Sequence, residues 1–300
     1  MERMNPVLGA TPGSRSAAAE LPKWLRGRRL TKPMFYLVLV ILAFYSLAPL
    51  VIVVFTSLKS EIGLAENPIG PPVHPQWDNF IQAWQQGAIG VGMENSAILT
   101  LGTIAGVCII AGSAAYAMAR LDLPGANSVM VYLIFTSALP IQLFLVPLFF
   151  LWTRLHLYNT LFGVIIIYCA IFSPFATLLL RSFMLSIPRD FEEAARVDGA
   201  REVTVMWRVT LRLVAPGFLT VALISGLSAW NNFLIAITFL QSPGVQPVSA
   251  ALYAFQQGFS SNYTLIAAAG ILMLLPMMVL FLALQRHFVA GIASGGLGGA

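Results

Sequence analysis

Apolar residues in this chain run in long blocks rather than alternating with polar ones. Six blocks stand out, at 34–58, 96–119, 129–152, 161–180, 217–240 and 265–284. A helix needs about 20 apolar residues to cross the hydrocarbon of a bilayer. The strands of a membrane barrel would instead alternate apolar and polar residues over about 10 positions. Continuous blocks of this length predict six transmembrane helices, an all-α integral membrane protein. No Asp, Glu, Lys, Arg or His lies inside any block. Pro140, Pro147, Pro174 and Pro276 fall within or near them and predict kinks, which neighbouring helices tolerate by re-satisfying the freed carbonyls.

Composition agrees with lipid as the solvent. Hydrophobic residues fill 58% of the 300 positions and charged residues 10%, against roughly 45–50% and about 25% in soluble domains. The net charge of +5 would suit a nucleic acid, but its placement does not. All of the 17 Lys and Arg except Lys59 and Arg154 fall before the first block, between blocks two and three, between four and five, or after the sixth. That is the positive-inside pattern, with both termini cytoplasmic. The first block is longer than the 7–15 residues of a signal-peptide core and predicts a retained helix. Cys108 and Cys169 lie inside blocks with no metal-ligand spacing and read as small packing residues.

Residues 1–32 are expected to form a disordered, basic cytoplasmic arm and 33–300 the membrane domain. Between 59 and 95 the prolines at 71, 72 and 75 exclude regular structure locally. Beyond them Trp77, Phe80, Ile81 and Trp84 recur at helical spacing, which predicts a short surface helix, an interfacial anchor or a docking site for a receptor. Gly102 and Gly106, continued by Ala111, Ala114 and Ala115, predict close helix packing. Uncharged spans argue against a proton-driven carrier, because a translocated proton needs a place to reside; a neutral sodium-coupled carrier stays open. Lys23, Lys32 and Lys59 follow Pro, Thr and Leu, so none completes the Gly-Lys-[Ser/Thr] of a P-loop.

The most informative polar segment is the cytoplasmic loop at 187–216. Asp190 followed by Glu193 reads as a capping box with Asp190 as N-cap. A short helix then runs through Ala194 and Ala195, and Gly199 supplies a left-handed stop. A second helix carries Val203, Met206 and Trp207 on one face and Arg201, Arg208 and Arg212 on another. Such a pair either rests on the membrane or docks into a groove on a cytoplasmic partner.

This loop resembles the EAA loop of permease subunits of ABC importers. Glu193-Ala194-Ala195, three residues, Gly199 and the apolar Val209 match that pattern, and Asp198-Gly199-Ala200 matches the carbohydrate branch, the MalG-like, binding-protein-dependent family. Asn95-Ser96, Ala115-Tyr116-Ala117, Pro188, Trp230-Asn231-Asn232-Phe233 and Gln285-Arg286-His287-Phe288-Val289-Ala290-Gly291 agree, so the likeness covers about 34–297. Three positions depart from it. Leu211-Arg212 stands where the family has Leu-Pro, Asn232 stands where it has Glu, and the glycine-rich tail lacks a Lys.

The resemblance implies a MetI-like permease fold, N-in and C-in, in the inner membrane of a prokaryote. It implies a second homologous permease subunit, two ATPase subunits that use ATP and Mg, and an extracytoplasmic solute-binding protein. This chain would be no enzyme and would bind no cofactor or nucleic acid. Glu193 would make the charged contact to the ATPase, Ala194 and Ala195 the close-packing face, and Asp198 and Gly199 the turn. Neutral hydrogen-bonding and aromatic groups in the spans, namely Tyr116, Ser137, Gln142, Tyr168, Ser228, Trp230, Asn231 and Asn232, are the candidates for a substrate pathway. They suit an uncharged polyol or sugar such as a di- or oligosaccharide or equally serve as glue between helices. Glycerol phosphates and amino sugars are alternative cargoes, and a self-contained carrier is the alternative machine.

Overall fold

The computed structural model describes residues 31–252, 255 and 262–296, with side chains at 33–252, 255 and 262–282. The arm expected at 1–32 lies outside the described residues, apart from the two that open the first helix. The side chains of the tail motif lie outside them as well. Among the described residues the structure is helical, with no strand. The chain divides after Val51, and most of the first helix, α1 (Thr31–Ser57), belongs to the first unit. That helix is continuously apolar and holds Pro49 in its interior.

The second unit begins with two short helices, α2 (Glu61–Glu66) and α3 (Asp78–Gln86), on either side of the proline segment. Helix α3 is the expected surface helix. Its Trp77, Ile81 and Trp84 are exposed, while Asn79 is buried and donates to the carbonyls of Ser57 and Lys59. Helix α4 (Ile89–Arg120) spans 32 residues, longer at both ends than the apolar block. At about 1.5 Å per residue it reaches about 48 Å, well beyond the hydrocarbon.

The block at 129–152 is not one straight helix. Helix α5 (Ala126–Ala138) ends at an extended Leu139-Pro140 pair, and the chain resumes at Ile141–Arg154, bent by 87°; the α-helical part, α6, is Leu145–Arg154. Proline disfavours helical geometry in the residue before it and has no N–H to donate, so the break falls at Pro140. Pro174 instead lies within the continuous α7 (Leu161–Leu185). The block at 217–240 is interrupted too. Helix α11 (Ala215–Asn231) stops at Asn232, whose side chain caps α12 (Phe233–Phe239) by accepting from the Ile235 N–H. A short α13 (Val248–Ala251) precedes α14 (Tyr263–Gly296). Among the described residues four helices are long and apolar enough to span a bilayer, or up to six if each of two bent pairs counts as one span.

The core of the second unit forms where α4, α7 and α11 pack together. Ala111, Ala115 and Ala119 recur every fourth residue on α4 and are buried, with Cys169, Ala176 and Leu180 of α7 and Val221 of α11 in the same cluster. Small residues at this spacing let backbones approach. A methyl group on Gly106 would sit 2.4 Å from Cys169 Sγ, and one on Gly102 would sit 2.6 Å from Ile165 Cδ1. Both cysteines are free thiols. Near the Ile89 end, Asn95 donates to the carbonyls of Gly244 and Gln246, and Ser96 Oγ accepts from the Val248 N–H. The Asn-Ser pair thus fastens the segment after α12 to α4.

The packing makes a size prediction. Gly106→Ala should lower the melting temperature of the purified protein, with an overpacking cost of about 1–3 kcal/mol. Pairing it with Cys169→Ala should restore most of the loss, because the added methyl then occupies the space the thiol leaves.

Candidate functional site: a charged loop docked on a membrane helix

The loop between α7 and α11 carries most of the charge near the bundle. Helix α8 (Asp190–Val197) is eight residues long. The expected capping box is not formed. Asp190 lies inside the helix, and Arg189 precedes it without a side-chain cap. The first turn is held by backbone bonds from Glu192 and Glu193 to the Arg189 carbonyl. Three acids in that first turn favour the positive end of the helix dipole.

The far end matches expectation. Gly199 has φ +83°, its N–H donates to the Arg196 carbonyl and the Ala200 N–H donates to the Ala195 carbonyl. This is a Schellman stop, with the glycine where only a residue without Cβ sits unstrained.

The chain then re-enters helix as α9 (Glu202–Thr204), a π-helical stretch at Val205–Thr210, and α10 (Leu211–Leu213). A π-bulge inserts an extra residue per turn and is often found at functional sites. Here it goes with both Val205 and Thr210 facing inward. The expected apolar face of Val203, Met206 and Trp207 is split, with Val203 and Trp207 exposed and Met206 packed against the core. With Arg212 in place of proline, the helix runs on to Leu213. It breaks at Val214, and Pro216 sits in the first turn of α11, after a bend of 78°.

The loop is held by a carboxylate that the motif did not single out. Glu192 is 1% exposed and pairs with Arg120, the last residue of α4, at 2.9 Å. The same oxygen accepts from Thr210 Oγ1 at 2.9 Å. Arg120 also donates to the Ile187 carbonyl at 3.0 Å. Glu193, its neighbour, points outward and is exposed. A second contact lies across the glycine turn. Glu202 receives a two-pronged bond from Arg196, at 3.0 and 2.9 Å, and a further bond from the Tyr116 hydroxyl of α4. Arg196 first, and Tyr116 second, hold the Glu202 carboxyl down at about 2, and the pairing raises the Arg196 guanidinium further. Arg189 adds bonds to Asp122 and to the Ala119 carbonyl.

Sequence reasoning placed Arg120 only in the charge count and did not single out Glu192, Arg196 or Glu202. The available signal was the glycine turn itself, which folds residues 196 and 202 together.

The pathway candidates separate into two groups. Tyr116 lies one turn from the Arg120 end of α4, joined to the loop. Tyr168 is fully buried with its hydroxyl 3.5 Å from the Asn232 carbonyl, and Trp230 donates to the Met273 carbonyl. These groups are used within the chain. Ser228 is half-buried; Ser137, Gln142 and Asn231 are exposed. Ser137 and Ile141 line a mostly apolar cavity of about 420 Å³ at the α5–α6 break, together with Ile167 and Ile171 of α7. Among the described residues no group of three or more His, Cys, Asp or Glu side chains could hold a metal ion.

Apolar helices of spanning length, joined by a charged loop anchored on one of them, define an all-α, multi-spanning membrane permease. The chain belongs to the family of binding-protein-dependent transport system inner membrane components, whose model matches residues 109–294. It is a transport subunit of an inner-membrane system and not itself an enzyme.

Several relatives match most of the chain. The sulfoquinovosyl glycerol transport system permease protein SmoH of Agrobacterium fabrum is 33% identical over 89% of this chain and 94% of its own length. The melibiose/raffinose/stachyose import permease protein MelC of Bacillus subtilis is 35% identical over 84% and 91%. The fold matches a chain of a bacterial ABC transporter involved in the import of the acidic polysaccharide alginate, with a TM-score of 0.75 and 22% identity over 87% of this chain and 97% of that one.

The anchoring network makes two predictions. Glu192→Ala leaves Arg120 buried without its partner, so it should cost about 3–5 kcal/mol, read as a lower melting temperature of the purified protein. An exposed variant such as Glu193→Ala should leave that temperature unchanged. Because Glu202 has a depressed pKa in the folded protein, its stabilising contribution is fully present above the ordinary carboxylate value of about 4.3. It is lost as pH falls through about 2. The melting-temperature difference between the native chain and Glu202→Gln should therefore be constant from neutral pH down to about 4.3 and vanish toward pH 2.

Proposed function

We propose that this chain is one of two homologous permease subunits of an ATP-driven importer for a carbohydrate, a di- or oligosaccharide or glycoside. An extracytoplasmic binding protein delivers the cargo and two ATPase subunits power the cycle with ATP and Mg. The observation that carries the cargo class is the set of full-length relatives, whose named substrates are sugars and a sugar glycoside. In this reading the domain at 33–300 crosses the membrane six times in a MetI-like arrangement. Both termini are cytoplasmic, because the basic residues concentrate on that side.

Energy enters at the outer face of α8. Phe191, Glu193, Ala194, Val197 and Asp198 are exposed together there, Val197 at 88%. A carboxylate set among apolar side chains on a short helix suits a groove on a partner with a complementary cation. Glu193 is the charged contact and Ala194 the close approach. Ala195 and Gly199 form the stop that shapes the turn, with Asp198 beside them. The pathway runs past the broken helices, where the exposed Gln142 amide, and the Asn231 amide that already donates to the Leu227 carbonyl, offer further hydrogen bonds to hydroxyl groups. Non-helical backbone at membrane depth is tolerated where it is buried in protein or lines a cavity, which supports this location. Tyr168, Trp230 and Asn232 hold the wall rather than touch cargo. Tyr116 serves the loop, and the half-buried Ser228 on α11 is a further candidate for the wall.

Gly199→Asp puts a Cβ at a positive φ, costing about 1–2 kcal/mol locally, and a charge where nothing lies within 4 Å. It should leave the protein in the membrane yet abolish uptake and uncouple the ATPase; normal uptake would refute the coupling role. Thermal shift of the cognate binding protein against neutral saccharides, an amino sugar and glycerol phosphate tests the cargo. Stabilisation by glycerol phosphate alone would replace the carbohydrate reading. Transport by this chain alone in liposomes would replace the shared machine.

A further inference from the structure

The loop is continuous with α7 and α11, so these two helices would be the natural route for any pull on α8. The polar contacts point elsewhere. Every side chain that fixes the loop by a charged or short polar bond to a spanning helix reaches the last turns of α4. Glu192 binds Arg120, and Glu202 binds Tyr116. Arg189 reaches the Ala119 carbonyl. Arg120 returns a second bond to the Ile187 carbonyl, where the chain enters the loop. Thr210, on the re-entering helix, shares the Glu192 oxygen with Arg120, so one carboxylate ties both limbs of the loop to α4.

The central pair is buried, with Arg120 3% and Glu192 1% exposed at the side chain. Surface pairs yield to salt and to side-chain freedom. A buried pair with further hydrogen bonds holds its geometry, because each charge has nowhere else to go. Helix α4 is also the longest span that the loop touches and the one that fastens the far segment, through Asn95 and Ser96. A displacement of its Arg120 end therefore reaches residues 244–248 through a single helix.

We propose that Arg120, Glu192 and Thr210, with Tyr116 and Glu202 beside them, are positioning residues that make α4 the strut carrying loop motion to the opposite end of the permease. The inference rests on the reading above that an ATPase drives α8. Glu192 and Glu193 thus divide the work. Glu193 faces the partner, and Glu192 holds α8 to the helix it moves.

The test uses the complete transporter, with its ATPase and second permease, in a Cys108→Ala, Cys169→Ala background. Nitroxide labels are placed at Arg201→Cys, on the loop, and at Val91→Cys, on an exposed site near the far end of α4. Line shapes are compared with and without ATP and vanadate. In the otherwise native chain both labels should respond. In Glu192→Gln the loop label should still respond and ATP should still be hydrolysed, while the response at residue 91 is lost. Arg120→Lys, which keeps the charge, should restore more of it than Arg120→Gln.

A residue-91 response that persists in Glu192→Gln overturns the proposal, as does a native chain whose loop label responds while residue 91 stays silent. A loop label silent in the native chain instead overturns the coupling reading itself. Should Glu192→Gln fail to assemble, Thr210→Val with Tyr116→Phe removes two hydroxyl bonds and leaves the ion pair. A weakened response at residue 91 supports the strut, and an unchanged one counts against it.

Discussion

Inside hydrocarbon a backbone N–H or carbonyl has no water to turn to, and each one left unpaired costs several kcal/mol, of order 4–6 in an apolar medium. That constraint decides where this chain is regular and where it is allowed to break. Helices α4 and α7 run unbroken, Pro174 included. The α11–α12 interruption is repaired by side chains: Asn232 accepts the Ile235 N–H, and its own carbonyl lies within reach of the Tyr168 and Ser249 hydroxyls. The α5–α6 break falls at the residue that has no N–H to lose and beside a cavity. Irregular backbone thus occurs where something is on hand to answer it.

The same constraint drives charge to the ends of helices. Arg120 closes α4, and every acidic or basic group that the loop turns inward meets it or its neighbours. The glycine turn completes the arrangement. With φ +83° at Gly199, the chain reverses within two residues and brings Arg196 against Glu202. The π-helical step then sets Thr210 on Glu192. Backbone geometry and charge pairing therefore describe one object, a loop rigid on its inner side and open on its outer side.

Much of this was legible from residues alone. Uncharged blocks about 20 residues long gave the helices, Gly199 gave a stop and Trp77 to Trp84 gave a short helix. The breaks were partly visible. Pro140 carried its own signal, but Asn232 reads as a polar residue in a span until its capping bond to Ile235 is seen. The ion pair was not legible, because Arg120 and Glu192 are 72 residues apart and no local pattern joins them. Nor does an eight-residue helix announce which of two adjacent glutamates faces inward. That choice goes with the bonds to Arg120 and Thr210, and the phase of Thr210 depends on a π-helical segment that periodicity does not reveal. The Asp190 cap failed for a related reason, since the helix had already begun at that residue.

The outer side of α8 contributes little to keeping the loop folded. Phe191, Glu193, Ala194 and Val197 face away from the bonds that fix it, and the space beside Gly199 is open. Under the proposed coupling, anchoring and partner choice are thus written in different residues of the same eight-residue helix. Such a surface is free to drift, or to be redesigned for a different ATPase, while the fold beneath it stays put. If α8 is the coupling face, the engine can be exchanged without rebuilding the pore.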